Sequence, residues 1–220
     1  CCCVNHHLRA AAGKEAEFVE SVCREWNIPF ILKEVDVQSA VRNGGSIETA
    51  ARDLRYKALR EAARGGGYAK IAVAHHGDDQ AETVLYHLLR GSGVTGLSGM
   101  KPINGDIIRP FLCVSKNEIK DFLKDFSYVP CHDESNDVED AVRNRIRLSL
   151  VPELISYNPR VTESLRRTAD IFREEDLFME EKADVFISSC VEHDNDKCVF
   201  FIAYFLVLHI ALQRRVIRKI

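Results

Sequence analysis

The sequence predicts an α/β protein in which a parallel sheet is flanked by helices, followed by a C-terminal helical appendage. Up to about Arg90, short apolar runs alternate with stretches of helical spacing, the order that builds a parallel sheet with helices on both faces. From Ala141 onward this alternation stops and the pattern is mainly helical. Asn158-Pro159 separates two helical stretches, so we predict an α/β domain over 1–157 and a helical domain over 158–220.

The elements of the first half follow from periodicity and from the residues that start and stop helices. Phe18, Val22 and Trp26 lie four apart, which is typical of one helical stripe. Two glycine-containing turns, 44–46 and 65–67, bound the second helix, and the run 71–74 is typical of a strand buried on both faces. The predicted elements in order are a helix over 13–27, a strand over 30–37, a helix over 47–64, a strand over 71–74 and a helix over 78–90.

Beyond residue 100 the signals are sparser. Ile107–Ile108 predicts a short strand, and Ser115-x-x-Glu118 is a capping box that opens a helix to about Phe126. The apolar stretch Cys198–Leu212 is short for a membrane span and contains His209, so we expect a buried helix or strand there.

Composition excludes several classes of protein. Thirty Lys and Arg against 33 Asp and Glu give a net charge of −3, so any RNA contact must come from a local basic patch. None of the eight cysteines forms a C-x-x-C pair, which excludes a zinc ribbon or thioredoxin-like motif and favours reduced thiols. The N-terminus has no signal-peptide pattern. We therefore expect a cytoplasmic protein with no membrane partner.

The densest group of ionisable residues directly follows the predicted strand 71–74. Ligands of open α/β sheets bind beyond the carboxyl ends of strands, which is where His75, Asp79 and Glu82 fall. Asp79 and Glu82 are three apart on the predicted helix and share a face, so they could hold Mg²⁺ or orient a substrate amine or base. The same pair also fits a capping box with no chemical role, and both interpretations stay open.

Two further groups carry possible chemistry. Arg90-Gly91-Ser92-Gly93 begins a glycine-rich segment that continues to Gly99, which suits either a phosphate-binding loop or a flexible connection. Arg143, Arg145 and Arg147 form a cationic patch that suits phosphates or a transition-state anion, or else a solvated helix face. Arg143 and Arg147 are four apart and share a face, whereas Arg145 lies on the opposite side.

Together these segments resemble the tRNA(Ile)-lysidine synthases of the PP-loop ATPase superfamily, whose fold is Rossmann-like. The resemblance follows the family's order along nearly the whole chain. It is carried by VNHHLR at 4–9, AARDLRY at 50–56, HHGDDQAETVLYHLLRGSGVTGLSGM at 75–100, IIRPFL at 107–112, DESN at 133–136, RNRIR at 143–147 and LQRRVIRKI at 212–220.

The resemblance implies a ligase that uses ATP and Mg²⁺ to adenylate the wobble cytidine of tRNA(Ile) with a CAU anticodon, and then joins L-lysine to it. Residue by residue, it implies catalytic roles for His75, Asp79, Glu82, Arg55 and Arg147. It further implies nucleotide contacts from His75, Arg55, Gly91 and Gly93, tRNA contacts from Arg90, Asn136, Arg143, Asn144 and Arg145, and Mg²⁺ at Asp79. A homodimer is left open.

One departure from the family pattern concerns the pyrophosphate loop. The family's S-G-G-x-D-S segment would precede 4–9 and does not occur in these 220 residues. We therefore expect this chain alone to be inactive. Two other functions remain to be weighed, a tRNA thiolase of the same superfamily and a noncatalytic tRNA-binding module.

Overall fold

The computed structural model describes residues 1–8, 12–41, 47–126, 131, 142–194 and 197–220. They divide into two compact units. The first unit comprises Cys1–Ala74, Ile103–Pro110 and Tyr128–His132, and the second comprises His75–Pro102, Phe111–Ser127 and Asp133–Ile220. The predicted turn at 44–46 and residues 132–141, which include Asn136, lie outside the described residues.

In its described residues, the first unit contains two small sheets and three helices. Strands β1 (Cys2–Asn5) and β2 (Ile31–Glu34) pair in parallel, and β3 (Ile71–Ala72) pairs in parallel with β5 (Ile107–Ile108). An antiparallel strand, β4 (Ile103–Asn104), completes the second sheet in the order β3-β5-β4. The helices are α1 (Ala12–Glu25), α2 (Val37–Ala40) and α3 (Ile47–Gly65).

Apolar stripes of the helices cover these sheets. Ala58 and Ala62 are buried on α3, four apart as the helical period requires, and Ile71 and Ile107 are buried on paired strands. Small alanines at these positions let the α3 backbone approach the strands closely. The core of the first unit therefore depends on the predicted α3 stripe.

The second unit is mainly helical. Its long helix α9 (Val161–Cys190) packs against α4 (Gly77–Leu89), α5 (Val94–Leu97) and α11 (Ile210–Lys219). Its remaining elements are α6 (Lys116–Asp125), α7 (Val142–Arg145), a π-helical turn (Ile146–Leu150), α8 (Val151–Tyr157), the antiparallel strands β6 (Val191–Asp194) and β7 (Lys197–Phe200), and α10 (Ile202–Leu206). A 3₁₀ turn spans Pro110–Cys113.

Most predicted elements are confirmed, and three details differ. The strand over 30–37 ends at Glu34, because Asp36 caps α2 by accepting from the Ser39 amide at 3.0 Å. The strand over 71–74 is two residues long and its Ala72 is exposed. No local pattern of residues indicated β4 or the β6–β7 hairpin.

The apolar stretch 198–212 was expected to be buried, and this expectation is wrong. It forms most of β7, α10 and the start of α11, and Phe201 and Val207 are 75% and 82% exposed. Only part of it, including Phe205 and Leu208, packs on the small core formed by Ala183, Phe186 and Val216. No helix in the described ranges is long and apolar enough to cross a membrane.

Candidate active site

Helix α4 begins at a capping box formed by His76 and Asp79. The His76 ring Nδ1 accepts from the Asp79 amide at 3.3 Å, and Asp79 Oδ2 accepts from the His76 amide at 3.0 Å. Both exchanges satisfy amides that the first helical turn leaves without partners. The capping interpretation is therefore half right, because Asp79 closes a box with His76 and Glu82 has no part in it.

Asp79 and Glu82 form a carboxylate–guanidinium cluster with Arg147 and Arg143. Arg147 Nε donates to Glu82 Oε1 at 2.6 Å, and its Nη2 donates to Glu82 Oε2 at 2.9 Å and to Asp79 Oδ1 at 3.1 Å. Arg143 Nε donates to Glu82 Oε2 at 3.3 Å, and its Nη2 lies 3.8 Å from Asp79 Oδ1. A single guanidinium therefore bridges the two carboxylates that the sequence placed on one helix face.

Burial makes this cluster electrostatically strong. The side chains of Glu82 and Asp79 are 5% and 13% exposed, whereas those of Arg143 and Arg147 keep a third and a quarter of their surface in solvent. The hydrogen bond to Glu82 raises the pKa of Arg147 above its ordinary value, against the opposing effect of burial. Arg147 is therefore a permanent cation held over buried acids.

The two arginines of the cluster come from a different chain segment than the two acids, in which a π-helical turn continues α7. Arg143 lies in α7 and Arg147 in the π turn, and both reach Glu82, as their four-residue spacing predicts. Arg145 lines a separate hollow of about 600 Å³ together with Leu89 and Ile146. Isolated π turns inside helices are frequent at functional sites, and this one contains Arg147.

The glycine-rich segment is held in place by side chains that sequence reasoning missed. Gln80 Oε1 accepts from the Met100 amide at 2.7 Å, and its Nε2 donates to the Met100 carbonyl at 3.1 Å. Thr95 Oγ1 donates to Asp176 Oδ1 at 2.7 Å, and Arg215 donates to the same oxygen at 2.7 Å. The expectation of a plain flexible connection is wrong for this part of the segment.

Other predicted site residues lie as follows. His75 and Asn144 are half-buried in the second unit, and Arg90 is exposed with its guanidinium 5.2 Å from the centre of the Tyr86 ring. Gly91 adopts a left-handed φ of 72° that ends α4, and a β-carbon added at Gly91 or Gly93 would meet no atom within 4 Å. Their roles at the site stay predictions.

Arg55 lies exposed on α3 in the first unit. Burial lowers the pKa of His6, and the charge of Arg55 lowers it further. Both residues belong to segments that resemble the family. Their roles at a reacting centre stay predictions.

The predicted Mg²⁺ site at Asp79 does not fit this arrangement. Asp79 Oδ1 accepts from Arg147 and Oδ2 accepts from the His76 amide. Within the part of the chain that the structure describes, no group of three or more His, Cys, Asp or Glu side chains could hold a metal ion. An ion at Asp79 would first have to displace Arg147, so no chemical step is derived through it.

Residues 1–154 match the PP-loop domain family ATP_bind_3, and the chain belongs to this family. Among curated relatives, it is 38% identical over 219 residues to the tRNA(Ile)-lysidine synthase of Caldanaerobacter subterraneus subsp. tengcongensis. This match covers 98% of this chain and 47% of that protein. It is 34% identical over 217 residues to the tRNA(Ile)-lysidine synthase of Thermotoga maritima, with 98% and 52% covered. The chain thus spans about half the length of these relatives.

A solved structure shares the fold. The U34-tRNA thiolase NcsA from Methanococcus maripaludis, with its [4Fe-4S] cluster, matches with a TM-score of 0.58 at 17% identity, covering 79% of this chain and 60% of that chain. At this identity the likeness concerns the fold alone. The predicted family and fold class are both confirmed.

Proposed function

We propose that the protein is a tRNA(Ile)-lysidine synthase, which joins L-lysine to the wobble cytidine of a CAU-anticodon tRNA(Ile) at the expense of ATP. The observation that carries the proposal is the cluster of Asp79 and Glu82 with Arg143 and Arg147. Its two halves lie 61 to 68 residues apart in sequence, and both fall in segments that resemble the lysidine synthases. The curated relatives with that name support it.

The proposed reaction has two steps. The cytosine 2-carbonyl oxygen attacks the α-phosphorus of ATP, a P–O bond breaks, and pyrophosphate leaves. The lysine ε-amine, after losing its proton, attacks C2; the C2–O bond then breaks and AMP leaves. Negative charge develops on phosphate in both steps, and positive charge must be handled at the lysine nitrogen.

The cluster contains groups for both charges. The carboxylates of Glu82 and Asp79 can hold the lysine ammonium and accept its proton, and Arg147 can stabilise the phosphate and the activated base. In the structure these groups neutralise one another, two acids against two arginines. We therefore propose an exchange, in which the lysine ammonium replaces Arg147 at the carboxylates while Arg147 moves to the developing anion.

The other functions have less support. A thiolase that carries its sulfur or metal on C-x-x-C pairs would need cysteines that this sequence does not have. A noncatalytic module has no need of two largely buried acids paired with two arginines, because well-packed apolar residues at such positions are often at least as stable. The cluster therefore favours a reacting centre.

Several finer statements belong to the same proposal. We propose that ATP is the co-substrate, that the protein acts in the cytoplasm, and that Mg²⁺ binds together with the nucleotide and not at Asp79. We further propose that these 220 residues alone do not complete the reaction, because they contain no S-G-G-x-D-S segment for the pyrophosphate. Each of these statements can be tested separately from the lysine transfer itself.

Incorporation of labelled lysine tests the proposal. The full-length gene product is incubated with ATP and a tRNA(Ile) transcript with a CAU anticodon, and with a matched transcript that has uridine in place of the wobble cytidine. We expect label only in the first transcript and only with ATP. In a parallel reaction with a sulfide donor and without lysine, ATP-dependent incorporation of sulfur into the tRNA would instead establish the thiolase.

A further inference from the structure

A basic groove lies on helix α3 in the first unit, and none of its lining residues belongs to the carboxylate–guanidinium cluster. It is a cavity of about 440 Å³, a volume within the range of ligand sites. Five of its nine lining residues are basic, namely Arg52, Lys57, Arg60, Arg64 and Arg109. Lys and Arg make up only 30 of the 220 residues, so this lining is strongly enriched in a chain of net charge −3.

Within the groove, Arg60 forms a bidentate ion pair. Its Nε donates to Asp106 Oδ2 at 2.7 Å and its Nη2 to Asp106 Oδ1 at 3.2 Å, which ties α3 to the turn between β4 and β5. Arg60 also lies 5.9 Å from the centre of the Tyr56 ring, and Arg52 lies 5.3 Å from the same centre. The aromatic ring and the paired guanidinium give the groove a formed wall.

Lys57 and Arg64 differ from Arg60 in their ion pairing. Among the described residues, neither has a carboxylate within ion-pair distance. Both side chains are exposed on the same stretch of α3 as Arg60. Asp53 on the wall and Asp106 against Arg60 are the acids at the groove, so the exposed cations of Lys57 and Arg64 leave it with a net positive charge. Like charges on one wall repel one another, and an anionic ligand would relieve that repulsion.

Arg55, the residue of α3 with a predicted catalytic role, lies beside this groove. Arg55 does not line the cavity. On a helix with about 100° per residue it points about 160° away from Lys57 and about 180° away from Arg64. Lys57 and Arg64 therefore point away from Arg55 and can be changed without touching it, although the Arg55 guanidinium lies 5.8 Å from the centre of the Tyr56 ring on the groove wall.

We propose that the α3 groove binds the phosphate backbone of RNA. The ligand class follows from the lining, because cations interleaved with an aromatic ring suit phosphodiesters and stacked bases. The inference rests on the proposed function for the identity of the RNA, which is the substrate tRNA. Its place is a positioning contact that fixes the tRNA through charge and carries no sequence information.

Salt-dependent binding of the CAU-anticodon tRNA(Ile) transcript to the full-length gene product tests the groove. The test variant is Lys57→Gln with Arg64→Gln. The matched control is Lys14→Gln with Arg24→Gln, which removes one lysine and one arginine from the exposed face of α1 in the same unit. Both variants are checked for an unchanged melting temperature. Inorganic triphosphate is added as a competitor, because at low concentration it would displace the tRNA from a site that binds free phosphate.

We expect the groove variant to bind about tenfold more weakly, with a plot of log Kd against log salt shallower by about two units, one for each lost phosphate contact. The control should match the wild type. If the groove variant binds like the wild type, or if triphosphate alone occupies the site, the RNA groove is wrong and the proposed function is unaffected. If the wild type binds the transcript in a groove-dependent way and incorporates no lysine, the groove stands and the proposed function falls. If the wild type binds no tRNA, both fall.

Discussion

Asp79 uses its two carboxylate oxygens for two different tasks. Oδ2 closes the capping box with His76, and Oδ1 accepts from Arg147. The same residue thus starts helix α4 and takes part in the cluster. For this reason the sequence could not decide between the structural and the chemical interpretation, since each predicts an acid at this position.

Arg147 should act on the reaction more than on tRNA binding. Arg147→Ala in the full-length gene product is expected to lower the turnover rate at saturating tRNA by about 10²-fold, the scale of losing one transition-state donor. In the structure Arg147 contacts buried Glu82 at 2.6 Å and Asp79 at 3.1 Å, and the proposed exchange moves it from there to the anion that develops during the reaction. The measurement is turnover and tRNA affinity at two salt concentrations.

The matched control for this prediction is Arg167→Ala, which removes an exposed arginine of α9 in the same unit. It should leave both quantities at the wild-type level. Full recovery of turnover by Arg147→Ala at saturating tRNA would show that Arg147 anchors RNA and has no part in the chemistry.

Helix α9 is the element that orders the glycine-rich segment. Its Asp176 accepts from Thr95 at 2.7 Å, and its Arg173 donates to the Met100 carbonyl at 3.3 Å. Gln80 from α4 completes the attachment at the Met100 backbone. Periodicity predicted α9 as a helix, but the attachment is formed by long-range side-chain contacts that leave no local pattern.

Gly99 is the position where this packing requires glycine. Its φ is +62°, and a β-carbon there would lie 2.7 Å from the Gln80 side chain. Gly99→Ala should lower the free energy of unfolding by about 1–3 kcal/mol, because it combines backbone strain with a clash at Gln80. Gly93→Ala is the control, since Gly93 has a φ of −80° and no atom within 4 Å of the added carbon.

Urea unfolding of both variants at neutral pH measures the difference. The control should stay within about 0.5 kcal/mol of the wild type. Equal stabilities for Gly99→Ala and Gly93→Ala would mean that the glycine segment moves freely and that Gln80 does not fix it.

A clamp of charges between α9 and α11 gives the second unit a dependence on pH. Hydrogen bonds from Lys219 and Arg215 lower the pKa of Glu180 below its ordinary value of 4.5. A depressed carboxyl pKa means that the unfolded chain binds more protons, so this stabilisation is complete above pH 4.5 and is lost as the pH falls below it.

Glu180 is a third exposed, so the effect is expected to be about 1 kcal/mol or less. Urea unfolding between about pH 3 and 7 should show a smaller loss of stability on acidification for Glu180→Gln than for the wild type. Glu181→Gln is the neighbouring control, with a side chain that is 69% exposed. Identical pH profiles for Glu180→Gln and the wild type would rule the clamp out.

For the whole molecule, local patterns predicted what local physics decides. The alternation of elements predicted parallel strands, and helical spacing placed α1, α3 and α4 within one or two residues of their observed ends. The stretch 198–212 shows the limit, because an apolar run does not reveal whether other parts of the chain cover it, and Phe201 is largely exposed. Long-range pairing also decided β4 and the β6–β7 hairpin.

For the candidate site too, local spacing predicted one part and long-range contacts decided the rest. The four-residue spacing of Arg143 and Arg147 predicted a shared face, and that face meets Glu82. Nothing local predicted that the partner would be Glu82, which is 61 and 65 residues away. His76 was missed as a cap because capping rules concern hydroxyl and carboxylate side chains, although an imidazole nitrogen accepts the same amide.

The most direct test of the reacting centre is lysine incorporation by Asp79→Asn in the full-length gene product. An Asn side chain at this position can still accept from the His76 amide through its Oδ1, so helix α4 keeps its capping box while the charge that Arg147 contacts is lost, and the melting temperature checks that the variant is folded. We predict a folded protein that joins no detectable lysine to the CAU-anticodon tRNA(Ile) transcript. Wild-type incorporation by a variant with an unchanged melting temperature would show that Asp79 is only a helix cap and that the chemistry takes place elsewhere.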